Sequence, residues 1–417
     1  MGLPASGALT ISNIKLEVNN STTYSLDLLS NYANKSNPDS MSEFYNYGST
    51  FQLNAGLTTI GFGGNYGVLP QGGYVICGVA PAGNTNYSMV KLFPNGQVDT
   101  GFAQYATQAM RGAAYSSVND RYYGYGTFGF YGTWSKPFLV SCTSNGAPDT
   151  SFNSGGSGFS SNGYVNGLAP LPNGQLIVVG DFTTYNGVQA NKIARLNANG
   201  TIDTSFNSGG YGADNSLQVV AYDSISNKIL IGSNDGGVCY NGNCTNGLVR
   251  LNYDGTFDST FNSGGSGISG GGNSIIDIRL DSTGKIYITG WFNQYNGVSR
   301  GAGYCRLNNN GTLDTSFVPD SGNTGDGVAI GGDDLPVVKL RNNNGNGYWR
   351  KLTSTGGYNS TFNTAGTSWS GQPGTVIPTT NNTYIIYPTG DATYNGADTG
   401  GRNICRISAS GALLGYS

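Results

Sequence analysis

A block of about fifty residues recurs from roughly residue 49 to the end of the chain, and this repeat limits the fold more than any other feature. Its clearest marker is NGTIDTSFNSGG at Asn199–Gly210. The marker returns as DGTFDSTFNSGG from Asp254, NGAPDTSFNSGG from Asn145 and NGTLDTSF from Asn310. Weaker copies are NGQVDTGF from Asn95, TGGYNSTF from Thr355 and the truncated SGALLGYS from Ser410. The turn glycines Gly96, Gly146, Gly200, Gly255, Gly311, Gly356 and Gly411 number the units one to seven. In the third unit, VNGLAPL, QLIVVGDF, KIARLNA and TIDTSF read as four short strands. They are separated by the turn Pro172-Asn173-Gly174, the loop TTYNGVQAN and the tight turn Asn199-Gly200.

Four short strands per unit, with no helix-length apolar period, predict an all-β chain folded as a seven-bladed β-propeller over 49–417. A linear β-solenoid has shorter repeats and needs capped ends. Here the last unit stops without its DxSFN piece, and Ser49-Thr50-Phe51-Gln52 resembles that piece, so the first strand is expected to complete the last blade and close the ring. Phe51, Phe102, Phe152, Phe206, Phe261, Phe317 and Phe362 then give one phenylalanine per blade. Composition agrees: 68 of 417 residues are Gly and only 10% are charged, which excludes helical bundles and charged disordered chains.

The segment GDFTTYNGVQANKIARLNANGTIDTSFNSG resembles the delta-60 repeat of bacterial and phage β-propeller proteins, recognised by GxF…YNG…RLNxxGxxDxxF. The resemblance covers about residues 49–417, is best in the third and fifth units, and implies the propeller fold but no activity. Residues 1–48 lie outside the repeat. Thr10, Ser25 and Ser40 open three similar apolar groups, and Ser40 and Glu43 have capping-box spacing. Three short helical turns are expected there, pooling Ile11, Ile14, Leu26, Leu29, Met41 and Phe44 into an anchor too small to fold alone. LPASGALTISNI from Leu3 and SMSEFY from Ser40 resemble the N-terminal regions of phage virion and tail proteins, which carry LPxSGxISxSxI and SMSDFYG. That resemblance implies a virion structural protein on a tail or capsid, whose partners are other virion proteins.

The chain has no His, so a Ser-His-Asp triad, a Cys-His pair and a His-ligated metal are excluded. Asp99, Asp149, Asp203, Asp258 and Asp314, with Asn359 in the sixth unit, occupy one repeat position. Arg195, Arg250, Arg306, Arg350 and Arg406 recur at the same or nearly the same repeat position, so both sets read as blade architecture rather than one converging site. No catalytic constellation, metal or cofactor is expected. With 20 Lys plus Arg, a net charge of −3 and no basic cluster, nucleic acid is not an expected partner. No run of 18 apolar residues predicts a membrane span, and the first sixteen residues lack a secretory signal pattern. Cys77, Cys142, Cys239, Cys244, Cys305 and Cys405 are therefore expected to be reduced, although CYNGNC reads as a hairpin tip able to hold a local disulfide.

The loops GDFTTYNG, GWFNQYNG and GDATYNG gather Phe182, Tyr185, Trp291, Phe292, Tyr295 and Tyr394 at one end of their blades. These are either wedges between blades or a surface for a host glycan or receptor. Three functions stay open: a virion structural protein, a receptor- or glycan-binding adhesin, and a polysaccharide-degrading enzyme. The last needs a nonrepeated carboxylate pair in one pocket, where the sequence shows repetition.

Overall fold

The computed structural model describes residues 57–59, 67–69, 74–81, 88–93, 99–103, 110–132, 134–160, 163–300, 303–319, 324–341, 347–362, 369–370, 373–379, 383–388, 393–394, 397–398, 405–408 and 410–416. The anchor expected over 1–48, with Ile11, Ile14, Leu26, Leu29, Met41 and Phe44, lies outside the described residues, as does the closing strand Ser49–Gln52.

The named elements among the described residues are all β-strands. Among the described residues, seven larger antiparallel ladders follow one another, at 57–92, 110–142, 165–196, 217–252, 274–307, 324–351 and 373–416. In the third, Val165–Pro170 pairs with Leu176–Gly180, which pairs with Ile193–Leu196. Smaller hairpins sit between second and third strands, such as Thr184–Tyr185 with Val188–Gln189. The loop read from TTYNGVQAN is thus a short hairpin.

The second strands explain the pattern of the core. Leu176–Gly180 is buried at every position, because the strand has another strand on each edge and another ladder against each face. A strand covered on both faces reads as a continuous apolar run rather than an alternation. The fourth ladder shows the division of labour: Ile229 and Ile231 face Ile177 and Val179 of the third, while Leu230 faces Ile275 and Ile286 of the fifth. The core is therefore a series of seams between consecutive ladders, and the first strands of successive ladders lie side by side.

The four-stranded blade expected from sequence needs correction. In units two to six the fourth strand shrinks to one bridge, as at Leu196↔Ile202, Leu251↔Phe257, Leu307↔Leu313 and Leu352↔Tyr358. The cause is the recurrent Asp, or Asn359 in the sixth unit. Asp203 Oδ1 accepts the Ser205 N–H at 3.0 Å and its hydroxyl at 2.6 Å, which turns the chain out of the ladder. In the seventh unit no Asp follows the turn, and Leu413–Tyr416 forms a full fourth strand on Cys405–Ile407.

Candidate functional site

The charged repeat residues hold neighbouring units together. Asp203, Asp258 and Asp314 each accept from an Arg Nε, of Arg195 at 2.8 Å, Arg250 at 2.8 Å and Arg306 at 2.9 Å. Each guanidinium lies over the unit's phenylalanine, 4.9 Å from Phe206, 4.4 Å from Phe261 and 4.8 Å from Phe317. Nη1 then reaches into the next unit: Arg195 donates to the Tyr253 carbonyl at 2.6 Å, Arg250 to Asn309 and Arg306 to Ser354 at 2.8 Å. Where the repeat loses its Arg, another cation replaces it. The second unit has Ser141 there, and Arg121 from the adjacent strand meets Asp149 at 2.7 Å. In the first, Lys91 meets Asp99 at 2.9 Å. In the sixth, the aligned residue is Lys351 rather than Arg350. Lys351 precedes Leu352 as Arg195 precedes Leu196, and it bonds Asp333 at 2.6 Å because Asn359 carries no charge.

The YNG loops form a second set of ties. Tyr185, Tyr240 and Tyr295 are fully buried, and each donates its hydroxyl to the hairpin glycine of its own unit: Gly200 at 2.6 Å, Gly255 at 2.8 Å and Gly311 at 2.7 Å. The following Asn pairs with the Asn after the previous unit's phenylalanine. Asn186 Nδ2 donates to Asn153 Oδ1 at 2.7 Å, and Asn296 Nδ2 to Asn262 Oδ1 at 2.7 Å. These asparagines have φ near +50°, the left-handed region that Asn enters more readily than other side chains.

These contacts place most of the aromatic candidates inside the fold. Phe182, Tyr185, Phe292 and Tyr295 are buried, so they wedge between strands and present no face to a ligand. Trp291 is 51% exposed, at the end of its strand beside the Gly270–Gly272 run. Tyr394 pairs with Trp369 in a short ladder, and its side chain lies outside the described residues.

The reduced state expected for all six cysteines is overturned at one pair, since Cys239 and Cys244 form a disulfide. They are directly opposed across a hairpin whose turn, Asn241-Gly242, has positive φ at both residues. That is the type I′ arrangement which brings flanking side chains together. Cys77, Cys142 and Cys305 are free and buried, and burial pushes their thiols up, which keeps them protonated and inert.

Two clefts open at equivalent places in successive units. That of the third unit, about 180 Å³, is lined by Gln189, Asn191, Arg195, Phe206, Asn207 and Tyr211. That of the fourth, about 390 Å³, is lined by Cys239, Cys244, Asn246, Arg250, Phe261 and Asn262. Tyr211, 51% exposed, is a site residue that the repeat pattern does not mark. The signal was the opposite one: its counterparts are Ser157 and Ser266. No cluster of His, Cys, Asp and Glu suited to a metal occurs among the described residues.

Burial raises the Asp258 carboxyl, but the Thr260 hydroxyl and N–H, Arg250 and Lys228 outweigh it and bring it down to about 2. Asp314 is held well below the usual range in the same way, with burial opposed by Ser316, Lys285 and Arg306. An unfolded Asp titrates near 4, so the folded state binds fewer protons below that pH. The stabilisation is complete above about pH 4 and is lost as pH falls toward 2. Urea titrations at falling pH are expected to show this loss, and Asp258→Asn is expected to flatten part of the slope.

Units built from such ladders are β-propeller repeats. Residues 171–206, 226–261 and 282–317 match the family described as "Domain of unknown function (DUF5122) beta-propeller", each match running from the turn before a second strand to Phe206, Phe261 or Phe317. Among curated proteins, none matches the sequence. Among solved structures, the chain is similar to the WD40 β-propeller domain of Doa1, at 10% identity over 82% of this chain and 92% of that one, with a TM-score of 0.45. A streptogramin B lyase gives 11% identity, 82% and 94% coverage and a TM-score of 0.43. A puromycin hydrolase gives 12% identity, 72% coverage of this chain and a TM-score of 0.43, and the chain spans 45% of its length.

Proposed function

We propose that the chain is a bacteriophage virion structural protein without enzymatic activity: a closed seven-bladed propeller displayed on the tail or capsid and held by residues 1–48. The observation that carries this reading is the break near residue 48. Beyond it, the recurrent acids are engaged by partners of the scaffold in each of the first five units, as Asp203, Asp258 and Asp314 are by arginines. Before it, LPASGALTISNI and SMSEFY resemble virion protein N-termini and stand outside the repeat. The succession of seven ladders among the described residues supports the blade count.

The apolar residues of 1–48 are too few for a core of their own, so burial against a particle protein supplies their stability. Six such residues, at roughly 1.5–3 kcal/mol each when fully buried, suffice for a small anchor. Deleting residues 1–47 is expected to leave a soluble, folded chain that no longer enters particles, read by circular dichroism and by immunoblot of purified virions. Incorporation of the truncated chain at normal copy number would overturn the anchor, and failure to fold would make the segment an internal part of the propeller.

A further inference from the structure

We propose that the third and fourth units carry a binding groove for a neutral oligosaccharide, formed by their two clefts with Tyr211 standing between them. The inference deepens the reading of a displayed propeller and rests on it for the setting in which a glycan would be met.

Three observations converge on this place. The first is continuity. Tyr211 lines the cleft of the third unit, and its hydroxyl lies 3.3 Å from where a Cβ on Gly242 would stand. Gly242 is the tip of the hairpin closed by Cys239–Cys244, and both half-cystines line the cleft of the fourth unit. The phenol lining the third-unit cleft therefore reaches the tip of the hairpin whose half-cystines line the fourth-unit cleft, and a side chain at position 242 would crowd it. Its backbone is fixed, because Asn241 Oδ1 accepts the N–H groups of Tyr211 and Gly212, each at 2.9 Å.

The second observation is departure from the repeat, for which the other units serve as internal controls. Where this site has Tyr211, the neighbouring units have Ser157 and Ser266. Where it has the opposed pair Cys239 and Cys244, they have Thr184 with Gln189 and Gln294 with Ser299. The scaffold folds locally without either feature, so packing alone does not account for an exposed aromatic and a covalent clip at one spot. An exposed ring on a fixed backbone suits stacking, since a Tyr side chain has few rotatable bonds to order on contact.

The third observation is charge. The ionised groups lining the two clefts are Arg195 with Asp203 and Arg250 with Asp258, each pair at 2.8 Å. Nη1 of each guanidinium donates to a carbonyl, of Tyr253 and of Asn309, and Arg195 Nη2 donates to the Ser205 hydroxyl. A charged ligand finds no free counter-charge. What remains are the amides and hydroxyls of Gln189, Asn191, Thr204, Thr245, Asn246 and Ser266 around one aromatic face. Such a surface complements the hydroxyl-rich edges and apolar face of an uncharged sugar.

The test uses the full chain on a printed array of neutral glucans, galactans, mannans and N-acetylglucosamine oligomers, with sialylated and sulfated glycans and peptides as comparators. Binding to at least one neutral oligosaccharide is expected. Tyr211→Ala is expected to weaken it by ~10-fold or more, and Tyr211→Phe to retain it. Absence of neutral-glycan binding, binding confined to charged glycans or peptides, or undiminished binding by Tyr211→Ala would overturn the groove. Particle incorporation of the Tyr211→Ala chain, measured alongside, is expected to be normal. Failure of the display reading thus registers there and in the truncation, separately from failure of the groove.

Discussion

Replacing Arg250 by alanine is expected to destabilise the chain by about 3 kcal/mol, measured by urea denaturation against the wild type. The residue joins three things at once: the Asp258 carboxylate, the Phe261 ring and the Asn309 carbonyl of the following unit. Arg250 and Asp258 have side chains only 6% and 4% exposed, so truncation strands a buried carboxylate. Loss of one partner of a buried pair costs about 3–5 kcal/mol. Lys228 Nζ, 3.2 Å from the same Asp258 oxygen, remains and holds the loss to the low end. The contrast is Lys192→Ala. Its partner Asp181 is 34% exposed, and the change is expected to cost less than about 1 kcal/mol. Equal effects from the two substitutions would remove the inter-unit tie from the account.

A second large effect is expected at a turn. Gly255→Ala should cost about 3 kcal/mol, from positive-φ strain plus a steric clash. Gly255 has φ +89°, and a Cβ there would stand 2.6 Å from the Asn207 nitrogen and 2.8 Å from the Phe206 ring. Both belong to the preceding unit, and Asn207 N–H bonds the carbonyl of Asp254 beside it at 2.8 Å. A methyl group therefore pries the two units apart. Gly209 has φ +78° but open space around it, so Gly209→Ala should cost only the strain, about 1–2 kcal/mol. Denaturation midpoints of the two variants separate the terms, and a Gly255→Ala midpoint no lower than that of Gly209→Ala would show that the close approach carries no energy.

The same residues explain how far the sequence could be read. The repeat, its hairpin turns and the architectural role of the recurrent Asp were legible, because Asn-Gly and Asx turns are local chemistry. The partner of each Asp was less so. Arg121 replaces the absent Arg of the second unit from an adjacent strand, a relation set by register rather than by spacing. Apolar residues such as Ile202 match the pattern of a full fourth strand, while the turn made by Asp203 and Ser205 interrupts the ladder after one bridge. The buried state of Tyr185 and Tyr295 followed from carbonyls waiting in their own hairpins at Gly200 and Gly311, contacts between residues 15 and 16 positions apart. Tyr211 was hidden for a different reason, whereas the disulfide was legible only as an option in CYNGNC. Averaging over repeats emphasises what all units share, and these two features are what one region does not share.

Electron cryomicroscopy of purified particles, with a tag fused to the end of this chain, tests the central claim most directly. The account predicts a disc of seven blades at a fixed tail or capsid position, joined to the particle through residues 1–48. Particles that lack the tagged density, or a tagged ring with another number of blades or another point of attachment, would contradict it.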